Sequence, residues 1–141
     1  MYAYVAGPLY NEGERWFDEV LARCAEEVGI STYLPHRDLG LLAGQKDSPR
    51  LFAGDMKQLD RAEIVVANLD GISIDSGAAW ELGYAYARGK HLIGIRTDFR
   101  THARHSDLNP MILHSLNKLV NSVEDLRAYL EKYASSNPKT S

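Results

Sequence analysis

Cysteine is nearly absent from this chain. Cys24 is the one cysteine in 141 residues, so no internal disulfide can form and a thiolate zinc site lacks ligands. It falls in an amphipathic stretch and reads as a small buried residue. Long apolar runs are missing too: none approaches the roughly 18 residues of a membrane span. No charged leader with a long apolar stretch opens the chain. There is no basic excess, because 16 Lys and Arg stand against 19 Asp and Glu for a net charge of -3. Electrostatic binding to nucleic-acid phosphates needs that excess. Three catalytic signatures are absent as well. No GxGxxG follows the first apolar run, which disfavours a Rossmann-type oxidoreductase, and there is neither a Walker A pattern nor a Ser nucleophile elbow. The expectation is a cytoplasmic globular protein that binds neither nucleic acid nor membrane.

What is present reads as one domain over residues 1–134 with a mobile polar tail over 135–141. The apolar content of 45% suffices for a real core. Apolar runs at Tyr2–Ala6, Ile30–Leu34, Ile64–Leu69 and His91–Ile95 read as strands, and Leu119-Val120 as a short fifth. Between them lie helical patterns. The first, Glu12–Val28, is expected to turn Trp16, Phe17, Val20, Leu21, Cys24 and Val28 inward, with Gly29 as its cap. The second opens at Ser48-Pro49, turns Leu51, Phe52, Met56 and Leu59 inward and presents Asp55. A third spans Ala78–Arg88, and a last one opens at Ser122 and runs to about Tyr133. Residues 36–50 and 96–110 read as loops. Strands alternating with helices imply parallel pairing and right-handed crossovers. The fold class is therefore α/β: a small doubly wound parallel sheet of four or five strands, flavodoxin/Rossmann-like, with helices on both faces.

The segment Asp75-Ser76-Gly77-Ala78-Ala79-Trp80-Glu81-Leu82-Gly83 carries the most chemistry. It follows the most apolar strand, where open α/β sheets bind ligands. Glu81 is a charge on an otherwise apolar helix and is expected to face a pocket; the alternative is a structural helix charge. Asp55, Asp70 and Asp75 converge on the same sheet edge. Clustered carboxylates separate their pKa values, so one can stay ionised as a nucleophile while another holds a proton as an acid. Glycosyl transfer needs that pairing. Structural alternatives stand beside each: a solvated helix face for Asp55, a turn before Gly71 for Asp70, and a helix cap for Asp75. Tyr4 and Tyr10 flank Ala6-Gly7-Pro8, a strand end and tight loop placed for a ligand. His102 and His105 stand at i, i+3 in a loop with no evident third ligand, so no metal site and no cofactor is expected.

Taken together, Tyr4-Val5-Ala6-Gly7-Pro8-Leu9-Tyr10, Asp55, the Asp75…Glu81-Leu82-Gly83 segment and Asn109-Pro110-Met111 resemble the nucleoside 2-deoxyribosyltransferases over residues 2–112. The resemblance implies that Glu81 attacks C1′ and forms a covalent deoxyribosyl ester. It implies that Asp55 exchanges a proton with the base and that Tyr4 orients Glu81 through a hydrogen bond. By the same likeness Asp75 binds the 5′-hydroxyl, Tyr10 packs on the base, and Asp38 contacts the base. Asn109 and Met111 would complete a neighbouring subunit's site. Family members assemble as oligomers, from dimers to hexamers, and act on deoxynucleosides and free nucleobases. Asp75 would repel a phosphate, which favours nucleosides over nucleotides; Arg37 argues the other way. The alternatives are an N-glycoside hydrolase of deoxynucleosides or nucleoside 5′-monophosphates and a non-catalytic nucleotide sensor. The chain departs from some transferases in ending Ser135–Ser141, where those end in an aromatic residue touching the nucleophile. Tyr133 substitutes only if the last helix reaches the site.

Overall fold

The computed structural model describes residues 1–100 and 108–138. Its five strands are β1 (Tyr2–Ala6), β2 (Ser31–Tyr33), β3 (Ile64–Asn68), β4 (His91–Ile95) and β5 (Lys118–Val120). They form one parallel sheet in the order β2-β1-β3-β4-β5. The helices are α1 (Glu12–Glu27), α2 (Pro35–Asp38), α3 (Ser48–Arg61), α4 (Ser76–Ala87), α5 (Pro110–Leu113) and α6 (Val123–Ser136). This is the doubly wound topology expected from the alternation of strands and helices. The chain runs outward from β1 to β2 and then returns past β1 to β3. The crevice at the carboxyl ends of β1 and β3 is thus the switch point, where such sheets take ligands.

Strand side chains alternate between two cores. Ala3, Val5, Ile64, Val66, Ile93 and Ile95 pack under Leu21, Ala22, Cys24 and Ala25 of α1 and Leu126 and Leu130 of α6. Tyr4, Ala6, Val65, Ala67 and Leu92 face the other way, toward Leu59 of α3 and Ala78, Leu82 and Ala85 of α4. β3 is buried along its whole length, as a central parallel strand must be. Helix α3 starts at Ser48 before Pro49, and Ser122 caps α6 by accepting from Asp125 N at 3.0 Å. Among the described residues no helix is long and apolar enough to cross a membrane.

Some expectations shift. The stretch 36–50 is not all loop: Pro35, at the first position of α2, starts a single turn there, and a 3₁₀ turn covers Gln45–Asp47. Trp16 is not inward but 62% exposed, because Asp18 takes the inward place on α1. On α3 only Leu59 is fully buried, and Phe52 stays exposed because the first half of the helix spans a cavity rather than the sheet. Helix α6 continues to Ser136, three residues past the expected end. His102 and His105 lie outside the described residues, as does the end of the tail.

Candidate active site

Between α3 and α4, over the middle of β1, lies a cavity of about 510 Å³. Tyr4 forms its floor. Phe52, Asp55, Met56 and Leu59 come from α3, and Ser76, Gly77, Trp80 and Glu81 from α4. Both ionisable groups of known sign in this lining are carboxyls, and no described Lys, Arg or His lines it. Trp80 stacks on Tyr84 with ring centroids 5.7 Å apart, and Phe52 meets Trp80 edge-on at 6.1 Å. The mouth is therefore aromatic and the interior acidic.

Glu81 does point into this cavity. Its Oε2 is shut off from solvent and has no hydrogen-bond partner. Burial raises its pKa to about 8; the nearby Tyr4 hydroxyl opposes the rise, and Asp55, Asp75 and Asp18 add to it. Tyr4 is fully buried, and its hydroxyl is also unpartnered. Tyr4 thus lies close enough for its hydroxyl to oppose the rise in the Glu81 carboxyl, on the side the resemblance implied. Burial and the two carboxylates, Glu81 and then Asp55, push the Tyr4 hydroxyl well above its usual range. Asp55 sits across from Glu81. Burial raises its pKa, and the Tyr33 hydroxyl, donating to Oδ1 at 2.9 Å, opposes that rise.

The carboxyl ends of β1 and β3 are locked together beneath the site. Asp18 from α1 is buried and accepts from Asn68 Nδ2 at 2.9 Å. Asn68 Oδ1 in turn accepts from Asp70 N at 3.0 Å. Burial raises Asp18 to about 7 despite the Asn68 bond. Gly7 is required here: a Cβ would stand 2.8 Å from both Asn68 Cβ and Asp18 Oδ1. Asp70 does not enter the cavity. It accepts from Thr97 N at 2.7 Å and Asp98 N at 2.8 Å and ties the ends of β3 and β4. Asp75 caps α4 by accepting from Ala78 N at 2.9 Å, and the Tyr10 hydroxyl lies beside the same carboxylate.

Several residues singled out in the sequence lie outside this cavity. Tyr10 does not line the cavity; it is 76% exposed, and the adjacent Asp75 carboxylate, more than its slight burial, raises its pKa. Asp38 is bound to Leu34 N and to Arg37, each at 2.9 Å, so both of its oxygens are engaged and neither reaches the cavity. Arg37 directs its guanidinium to Asp38 and to Glu26, each at 2.9 Å. Tyr133 stacks on His91 at 4.2 Å, at the amino end of β4 and the opposite edge of the sheet from Glu81. It cannot stand in for a terminal aromatic residue. Asn109 and Met111 lie beyond α4, in a separate cavity of about 580 Å³ with Ile74, Ala79 and Arg96. Within one protomer they do not join Glu81.

Sequence reasoning missed Tyr33 and Asp18. Tyr33 is the direct register partner of Tyr4 across β1 and β2, so both rings fall on the same face, 5.4 Å apart. No local pattern announces that pairing. Asp18 had a faint signal, as an acid flanked by Phe17 and Leu21 on an amphipathic helix.

A family model described as nucleoside 2-deoxyribosyltransferase matches residues 3–129. No curated protein sequence matches the chain. Among solved structures, a conserved protein of Enterococcus faecalis V583 superposes with a TM-score of 0.81 at 24% identity, covering 94% of this chain and 98% of that one. A 2-deoxyribosyltransferase of Bacillus psychrosaccharolyticus gives 0.77 at 22% identity, covering 92% and 96%. The 2-deoxyribosyltransferase of Leishmania mexicana gives 0.71 at 20% identity, covering 94% and 97%. At these identities the superpositions establish the shared fold.

Proposed function

The chain belongs to the nucleoside 2-deoxyribosyltransferase family, and from that premise we propose that it moves 2-deoxyribose between nucleobases by a retaining double displacement. The observation that carries this reading is the unpartnered, buried Glu81 carboxyl aimed into a cavity with Asp55 across from it. In its ionised form, the minor form below about pH 8, Glu81 attacks C1′ of a deoxynucleoside. The bond from C1′ to the base breaks, its electron pair leaves with the base nitrogen, and Asp55 supplies the proton. An acceptor base then enters, attacks C1′ and displaces Glu81, while Asp55 takes its proton. Two inversions give net retention.

The environment of each carboxyl supports its role. Burial pushes Asp55 toward its protonated form, the form that hands a proton to the departing base. Glu81 Oε2 has no hydrogen-bond partner in the resting state and is the oxygen free to approach C1′. A 2-deoxyribosyl cation forms relatively easily, because no 2′-oxygen withdraws electrons from C1′. The apolar walls of Phe52, Met56 and Trp80 favour a base over water in the vacated pocket. Free nucleosides fit better than nucleotides. Asp75 accepts from a neutral hydroxyl but repels a phosphate, and Arg37 is engaged by Asp38 and Glu26.

Product analysis tests this reading. Deoxyinosine incubated with adenine yields deoxyadenosine, and without adenine it is turned over much more slowly. Hypoxanthine and free deoxyribose released at one rate in both cases would instead make the protein an N-glycoside hydrolase. No turnover with deoxynucleosides or with deoxynucleoside monophosphates would leave a sensor.

We further propose that Asn109 and Met111 complete a neighbouring subunit's site. Met111 is 81% exposed, and Asn109 caps α5 through Met111 N at 2.9 Å, which fixes both on an outward ledge. Asn109→Ala then raises KM for deoxyinosine several-fold with a smaller change in kcat. An unchanged KM in an assembled oligomer would remove Asn109 from the site.

A further inference from the structure

Tyr33 stands just outside the cavity and touches its chemistry through one bond. It is 5% exposed and does not line the pocket. Its hydroxyl donates to Asp55 Oδ1 at 2.9 Å, and its ring lies against Tyr4, the floor beside Glu81. Asp55 is on α3 and Tyr33 on β2, 22 residues apart in sequence, so this bond fixes a helix-borne carboxyl against the sheet. With Oδ1 held, Oδ2 is left for the cavity. The short side chain of Asp has two soft torsions, and one buried hydrogen bond suffices to select its rotamer.

We infer that Tyr33 is a positioning residue for the proton-transfer step: it holds Asp55 in the rotamer that presents Oδ2 to the departing base. This rests on the transferase reading of the same site. The titratable groups facing Asp55 are Tyr33 from β2, Tyr4 from β1 and Glu81 from α4. On the Tyr33 side, Arg50 of α3, paired with Asp47 at 2.7 Å, and Asp38 of α2 lie near enough to act on the Tyr33 hydroxyl. Of these groups Tyr33 is the one bonded to Asp55. It also stabilises the ionised form, so it limits how far burial raises the carboxyl.

Tyr33→Phe removes the hydroxyl and keeps the ring against Tyr4. Two substrates separate a positioning role from a structural one: deoxyinosine, whose base leaves with a proton, and the 4-nitrophenyl 2-deoxyriboside, whose phenolate leaves without one. The expected result is a loss of about tenfold or more in kcat for deoxyinosine, with KM little changed and near-normal release of nitrophenolate. The Asp55 limb of the pH profile moves upward by about one unit. In an Asp55→Asn background the same substitution costs nothing further. Equal losses on both substrates, or an unmoved pH profile with full activity, would overturn the assignment. If Tyr33→Phe does not fold, an Asp55→Asn variant that releases base from deoxyinosine as fast as the wild type overturns it equally. Turnover of neither substrate by the wild-type protein would instead mean that the transferase reading itself has failed.

Discussion

Glu81→Gln loses base exchange by at least about 10³-fold, as removal of a covalent nucleophile does, and it makes the protein more stable at alkaline pH. The first effect follows from chemistry: an amide forms no deoxyribosyl ester, and Glu81 is the carboxyl on the α4 side of the cavity. The second follows from burial. The folded protein holds the Glu81 proton up to about pH 8, whereas the unfolded chain releases it near an ordinary carboxylate value of roughly 4.3. Between those values the folded state binds more protons than the unfolded state. The contribution to stability is therefore complete below about pH 4 and is lost as pH rises through 8. Glutamine, neutral at every pH, does not suffer that loss. At pH 8 to 9 the variant should gain on the order of 5 kcal/mol relative to its difference from wild type near pH 4. Thermal melts at the two pH values and exchange assays on the same preparation check both effects. Exchange at near-normal rate would sink the nucleophile. A stability difference that ignores pH would sink the buried-carboxyl argument while leaving the chemistry open to test.

Gly7→Ala lowers stability by about 2–3 kcal/mol, a fall in Tm of roughly 10 °C for a domain of this size. The added methyl carbon meets Asn68 Cβ and Asp18 Oδ1, each at 2.8 Å. Neither neighbour yields easily. Asn68 Cβ sits on the central strand, and the Asp18 carboxyl is held by Asn68 Nδ2 at 2.9 Å in a buried site. Moving either one breaks the bond that joins α1 to β3 under the switch point. Exchange activity should fall too, because Glu81 and Tyr4 depend on that crevice keeping its shape. Gly13→Ala is the internal control. It lies on α1, where a Cβ meets only Asn11 Oδ1 at an ordinary 3.4 Å, and it should leave Tm unchanged or slightly raised. An unchanged Tm for Gly7→Ala would show that the β1–α1 turn relaxes freely and that the Asp18–Asn68 bond is not a fixed strut.

The two substitutions test different layers of one arrangement. Asp18 and Glu81 are both buried acids with raised pKa values near the same strand ends. A domain that keeps two such groups loses stability as pH rises. In the proposed mechanism Glu81 offsets that loss by serving as the nucleophile; Asp18 offsets it by joining α1 to Asn68 and leaving room for nothing larger than Gly7.

The amino-acid sequence by itself determined the alternation of strands and helices, and hence the parallel doubly wound sheet. Periodicity of 2 and of 3.6 is a local property, and right-handed crossovers leave few topologies for it. The sequence also marked Glu81, because a charge on an apolar helix after the most buried strand has few places to go, and Asp55, which faces the same crevice from α3. Tertiary structure decided the partners. Tyr33 meets Asp55 only because β2 lies beside β1 in a register that pairs Tyr33 with Tyr4. Asp38 and Arg37 neutralise each other through a turn that the loop composition of 36–50 did not announce. Tyr10 reaches Asp75 and not the cavity, and Tyr133 ends at the far edge of the sheet against His91. Each of these depends on the direction in which a loop or helix leaves its strand. That direction is set by packing between segments tens of residues apart, and so it is not written in any local pattern.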